Sequence, residues 1–205
     1  MKQHTKVATL GTALITFGSL SGGARGALLV NGSFENPGQT ASFINHTITT
    51  SSLFGWDIIS GDVDTVTSTF ITPTDGDFAL DLDGFSPGTI SQSFFTTIGQ
   101  SYLFSIDVLG SNSGFDGAVF DVSGLSSVFN QTFTDTTDTL QQITGTFVAN
   151  NTTSTLTITS TNANGASSGG LFLDNASVVA IPEPSSAILL GVGALGFLAK
   201  RKRTS

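Results

Sequence analysis

The sequence predicts an all-β protein, an antiparallel β-sandwich. Three observations carry this: apolar and polar residues alternate along the chain, turn-forming clusters punctuate it at short intervals, and segments with helical periodicity are scarce. "SYLFSIDV" puts Tyr102, Phe104, Ile106 and Val108 on one face and Ser101, Leu103, Ser105 and Asp107 on the other. "TSTLTITS" turns Leu156 and Ile158 inward and Thr155, Thr157 and Thr159 outward, and "QITGTFV" and "GAVFDVSG" repeat the period of two. Between such runs lie "PTDGD", "DGFSPG", "GSNSGFDG" and "TNANGASSGG", rich in the residues that turns require. The spacing predicts nine to eleven short strands. A parallel α/β fold is excluded, because crossover helices have no sequence to form from.

Single positions fit this frame. Trp56 in "FGWDI" and Tyr102 read as core residues rather than exposed sugar-stacking platforms. "DLDG", Asp81 to Gly84, reads as a strand end entering a tight turn that Pro87 and Gly88 complete. An EF-hand does not fit there. Counting from Asp81, Phe85 falls at the fifth loop position, Ser86 where glycine is needed, and Gln92 where a bidentate glutamate is needed.

Charge narrows the function. All seven Lys and Arg lie near the termini, at Lys2, Lys6, Arg25 and Lys200 to Arg203, while residues 27 to 181 carry none. That interval carries Glu35 and all thirteen aspartates. A polyanion without counter-charges has no groups with which to hold phosphates, so nucleic acid is excluded as a partner. Cysteine is absent, which removes disulfides and thiolate metal sites; with two His, one in the N-terminal segment, a His-rich metal site is excluded too. His46, in the polar "INHTITT", reads as an exposed loop or edge residue. Nucleophilic triads, phosphate loops and a recognisable acid pair for glycoside hydrolysis are all missing, which points to a non-catalytic protein.

The two ends read as addresses. Lys2 and Lys6 precede an apolar stretch, Val7 to Leu20, and small residues follow. This is the pattern of a signal peptide over residues 1–26, cut after Gly26 or after Ala24. Residues 27–180 then form the sandwich domain, and 181–205 a tail. In the tail "IPEPSSAILLGVGALGFLAKRKRTS", thirteen apolar or small residues run from Ala187 to Ala199. As a helix they span about 20 Å, against roughly 30 Å of bilayer hydrocarbon. Lys200, Arg201, Lys202 and Arg203 act as a membrane stop held on the cytoplasmic side. Pro182 and Pro184 bar helix and central strand, which leaves Glu183 as the charged handle of an extended segment.

This tripartite tail closely resembles the PEP-CTERM sorting signal of Gram-negative bacteria. The resemblance implies a short C-terminal transmembrane helix, transient membrane association, and an exosortase as partner, a membrane-embedded processing enzyme. Pro182, Glu183 and Pro184 would be its substrate residues. It also implies delivery to the cell surface or to an exopolysaccharide matrix.

The body has ordered phrases of its own: "LLVNGSFENPG", "GWDIISGDVDTV", "GDFALDLDGFSPGTISQSFFTTIGQSYLFSIDVLG" and "GGLFLDNASVV". Their succession, over about residues 28 to 179, resembles the choice-of-anchor C family among the galactose-binding-like jelly rolls, cousins of many carbohydrate-binding modules. The resemblance implies first and last strands side by side, with Glu35 near Asp174. It further implies that these two carboxylates hold a structural Ca²⁺, with Asn31 and Asn175 nearby. The alternative is that both are satisfied by backbone N–H groups. Exopolysaccharide is the ligand this kinship suggests; a purely structural or adhesive surface protein is the other reading.

Overall fold

A computed structural model describes residues 27–49, 53–110, 117–134, 139–162 and 170–182. Among the described residues eleven strands form two antiparallel sheets, the upper end of the number expected. They are β1 (Phe43–Thr47), β2 (Asp57–Ser60), β3 (Asp62–Thr67), β4 (Phe78–Asp81), β5 (Thr89–Phe95), β6 (Ser101–Leu109), β7 (Gly117–Ser123), β8 (Ser127–Thr134), β9 (Gln141–Val148), β10 (Thr153–Ser160) and β11 (Phe172–Ala180). One sheet has the order β1-β3-β4-β11-β6-β9 and the other β2-β5-β10-β7-β8. The chain repeatedly crosses between sheets, so neighbours in space are often distant in sequence.

The period of two becomes the core. Phe104, Ile106 and Val108 of β6 meet Phe120 and Val122 of β7 and Leu156 and Ile158 of β10, all essentially inaccessible to solvent. Each such side chain contributes about 1.5–3 kcal/mol by leaving water. Phe104 lies 5.9 Å from Phe120 and 5.7 Å from Phe129, so three rings span the two sheets. Phe129 fits because β9 carries Gly145 at that place; a Cβ there would lie 2.0 Å from the ring. Tyr102 stacks on Phe147 at 5.3 Å, and its hydroxyl accepts the Thr97 N–H at 2.8 Å. Trp56 is buried and donates Nε1–H to the Asn31 carbonyl. Both aromatics are core residues, as the sequence predicts.

The start of the domain is laced to the last strand. Leu28 N–H donates to Val178 O at 2.8 Å, and Ala176 N–H donates to Gly32 O at 2.9 Å. β11 bulges between Asp174 and Ser177, where Asn175 has a φ of 51°. A Cβ on Gly32 would lie 2.0 Å from the Ala176 carbonyl oxygen, so this close approach requires glycine. The lacing places the segment that follows, with Glu35, beside Asp174's strand.

His46 departs from expectation. It lies on the edge strand β1 yet is fully buried, with Nε2 2.8 Å from Thr65 Oγ1. Its polar sequence neighbours hide an inward-facing position, and burial holds its pKa below the usual histidine value. Among the described residues there is no helix; the expected C-terminal helix, Ala187 to Ala199, lies outside them.

Candidate functional site

The β3–β4 loop folds back toward the outer face of the first sheet, and two carboxylates clasp it. Glu35 Oε1 accepts the N–H groups of Asp77 at 2.9 Å and Phe78 at 2.8 Å. Asp174 Oδ2 accepts the N–H groups of Thr74 at 2.6 Å and Asp75 at 2.9 Å, and its Oδ1 accepts Asn175 N–H at 2.7 Å. The two residues expected to be close therefore do act on one feature, the segment 74–78. Asn31 is engaged elsewhere, holding Asn36 and the Phe54 carbonyl. Asn175 reaches Asp107 Oδ2 at 3.3 Å.

Both carboxylates are satisfied by backbone N–H groups, the alternative to a structural Ca²⁺ that the sequence left open. The inward N–H dipoles stabilise bare carboxylates, the role a cation would otherwise fill. Among the described residues no three His, Cys, Asp or Glu are grouped to hold a metal.

A pocket opens beside the clasp. Phe172, Leu109, Ile71 and Leu140 give it an apolar lining, and Asp107, Asp174 and Thr74 give it hydrogen-bonding groups. Asp107 and Asp174 are register partners on β6 and β11. The single hydroxyl proton of Thr74 is shared between Asp107 Oδ2 at 2.8 Å and Asp174 Oδ2 at 3.0 Å. Gln142, exposed on β9, donates to Asp107 Oδ1 at 3.0 Å. Burial pushes the Asp174 pKa up, and the hydrogen bonds from Asp75, Thr74 and Asn175 counter it only in part. Asp107 and Thr74 escape a reading of sequence alone. The available signal is an aspartate in mid-strand on the outward face of "SYLFSIDV", where aspartate is disfavoured.

Further along the same outer face lies an acidic row. Asn45 Nδ2 donates to Asp62 at 2.9 Å and to Asp64 at 2.7 Å. Asp64 is the register partner of Asp81. Burial pushes Asp81 up to a pKa of about 7; the Asp83 N–H opposes this, and the charges of Asp83 and Asp64 add to it.

The last described residues are tied to the β5–β6 loop. Ile181 N–H donates to Ser101 O at 2.9 Å, Gln100 Nε2 donates to Ile181 O at 2.6 Å, and Pro182 follows, exposed. Glu183, Pro184 and the Lys200–Arg203 cluster lie outside the described residues. Among the described residues no helix is long and apolar enough to cross a membrane.

Residues 27–179 match a family described as "Protein of unknown function (DUF642)". The chain belongs to the DUF642 family. The match covers the body whose phrases resemble the anchored jelly rolls. Residues 180–203 of this DUF642 protein match the PEP-CTERM protein-sorting motif, the tail as the sequence predicts it, which indicates export and sorting to the cell surface. No curated protein matches the chain in sequence. Among solved structures, a family 16 carbohydrate-binding module is similar at 14% identity and a TM-score of 0.53, over 74% of this chain and 99% of that one. The TmCBM61 module, solved with beta-1,4-galactotriose, is similar at 13% identity and 0.50, over 76% and 99%. An arabinose-bound α-L-arabinofuranosidase is similar at 17% identity and 0.52, over 78% of this chain and 27% of that one. At these identities the likeness establishes a shared jelly-roll fold.

Proposed function

We propose that this DUF642 protein is a non-catalytic surface protein that an exosortase processes at Pro182, Glu183 and Pro184, and that it binds exopolysaccharide outside the cell. The observation that carries the sugar reading is the pocket on the outer face of the first sheet. Carbohydrates present hydroxyls around an apolar ring face, and they are recognised by groups that offer both kinds of contact. Asp107 and Thr74 of its lining supply polar contacts, and exposed Gln142 is bonded to Asp107 beside it; Leu109, Leu140 and Ile71 supply the apolar ones. Two modules of the same fold carry the carbohydrate-binding name, which supports the reading by analogy.

The test is a glycan array together with co-sedimentation on the producer's own exopolysaccharide. Binding is expected to fall about tenfold in Leu140→Ala and in Gln142→Ala, a loss of roughly 1.4 kcal/mol in each. Both positions are exposed, so the fold tolerates the change. Binding to no glycan overturns the sugar reading and leaves a structural or adhesive surface protein.

A further inference from the structure

At one end of the sandwich the described loops carry no charged residue and expose four large apolar side chains, and it is the end from which the tail leaves. The β5–β6 loop, the β9–β10 turn and the β7–β8 turn meet there. Thr96 N–H donates to Thr152 O at 2.9 Å, Gly99 N–H to Ala149 O at 2.8 Å, and Leu125 N–H to Asn150 Oδ1 at 3.0 Å. Ile181, the last residue before the sorting motif, is bonded to Gln100 and Ser101 of the same group. Residues 95–100, 123–127, 148–153 and 181–182 include no Asp, Glu, Lys or Arg, in a chain of net charge −8. Yet Phe95 is 85% exposed, Leu125 79%, Ile98 62% and Val148 53%.

We propose that this end of the domain seats against the lipid bilayer, with Phe95, Ile98 and Leu125 entering the headgroup region while the tail is inserted. The inference rests on the membrane reading of the tail and adds to it an orientation and a contact surface. Four residues, 183–186, separate Pro182 from the apolar run that begins at Ala187. Even fully extended they reach about 15 Å, so an inserted tail keeps this end close to the membrane surface. Large apolar side chains at that depth leave water at the acyl boundary. An acidic surface would be repelled by anionic lipids, and these loops carry no acid of their own; Asp121, which accepts the Ser127 hydroxyl at 2.7 Å, and Glu183 of the linker are acids that adjoin them. Phe85, 69% exposed in the turn after β4, lies at the opposite end and faces away. Asp81, at the end of β4, pairs with Phe172, which pairs with Leu109, far along β6 from Ser101.

The chain has no cysteine, so one introduced thiol takes one label. Full-length Ile98→Cys, Leu125→Cys, Phe85→Cys and Leu190→Cys, each labelled with a polarity-sensitive nitrobenzoxadiazole, are reconstituted in phosphatidylethanolamine–phosphatidylglycerol vesicles. Trp56 emission checks that each remains folded. The expected result is a blue shift and quenching by lipid-borne spin labels at positions 98, 125 and 190, but not at 85. A shift at 190 alone overturns the seating and leaves the tail reading intact; no shift at 190 removes both. A shift at 98 and 125 without vesicles, growing with concentration, overturns the proposal in favour of a second copy. A shift that needs the processing enzyme in the membrane overturns it in favour of a protein partner. As an independent measure, Phe95→Ser with Ile98→Ser and Leu125→Ser should weaken vesicle association about tenfold, and unchanged association counts against the proposal.

Discussion

Asp81 is the residue at which burial and charge conflict most. It is 6% exposed and sits opposite Asp64, with Asp83 two residues on. Its Oδ1 accepts the N–H groups of Asp83 at 3.0 Å and Gly170 at 3.2 Å, which hold the side chain in place without supplying positive charge. Burial, and to a lesser degree the charges of Asp83 and Asp64, raise its pKa to about 7, and the body has no Lys or Arg to offset them. The ordinary carboxylate value is near 3.8, so between roughly pH 4 and pH 7 the unfolded chain releases this proton and the folded chain keeps it. Asp81's contribution to stability is therefore complete below about pH 4 and is lost as pH rises toward 7. Asp81→Asn keeps an oxygen acceptor for both N–H groups and never ionises. It should match the wild type near pH 4 and exceed it at pH 8, by on the order of 2–4 kcal/mol. Urea unfolding followed through buried Trp56 at the two pH values measures the difference. Equal stabilities at pH 8 would mean that Asp81 ionises freely in the folded protein.

Among the elements, the β3–β4 loop is held over its second half by two acceptors, Asp174 at Thr74 and Asp75 and Glu35 at Asp77 and Phe78. Glu35 takes the Asp77 and Phe78 N–H groups, and Gly76, at a φ of 77°, lets the backbone pass so close that a Cβ would lie 2.4 Å from the Glu35 carboxylate. Glu35→Ala should cost about 1–3 kcal/mol by leaving these donors without their acceptor. It should also speed amide exchange at Asp77 and Phe78 while leaving Ile106 in the core unchanged. Glu35→Gln retains an acceptor and should lose much less. Unaltered exchange in the alanine variant would show that the loop is held by other contacts. The β strands themselves were legible beforehand because their signal is carried by side chains: Tyr102, Phe104, Ile106 and Val108 alternate in sequence and all are buried. The nearness of Glu35 and Asp174 to one feature was legible from the pairing of chain ends. What they hold was not, because their partners are backbone N–H groups of Thr74, Asp75, Asp77 and Phe78, which every residue but proline possesses. Asp107 joined the site through a cross-strand pairing with Asp174, and residues 67 positions apart carry no mark of such a pairing in one sequence. His46 escapes the sequence for a related reason: its hydrogen-bond partner is Thr65 on the neighbouring strand, and its polar sequence neighbours give no sign that it is buried.

At the scale of the whole molecule, the placement of every cation outside the sandwich has a consequence for processing. If export removes residues 1–26 and sorting cuts at the Pro-Glu-Pro motif, the released chain keeps no Lys or Arg at all. Of the 15 Asp and Glu in the full sequence, 14 precede Glu183, so the body alone carries a net charge of about −14 against −8 for the full chain. Trypsin cuts after Lys and Arg, so it should leave the released protein intact even in urea, where a folded core no longer protects any bond. Precursor that retains both ends should lose only terminal pieces and converge on one body-sized band. Intact-mass measurement of material recovered outside the cell then reads both cleavage sites directly. The expected mass lacks residues 1–26 and the tail beyond the motif; a mass that retains residues 185–205 in membrane-free material would exclude sorting by cleavage. The two measurements also bear on why the domain was built without cations. On the proposed seating, an inserted tail holds its four positive charges on the cytoplasmic side and turns toward the lipid the end whose loops carry no acid of their own. Once the tail is cut, no cation is left to offset the acidic residues of the rest of the surface. Release from a membrane containing anionic lipid is then favoured by the same charge distribution that earlier allowed only one end to approach it.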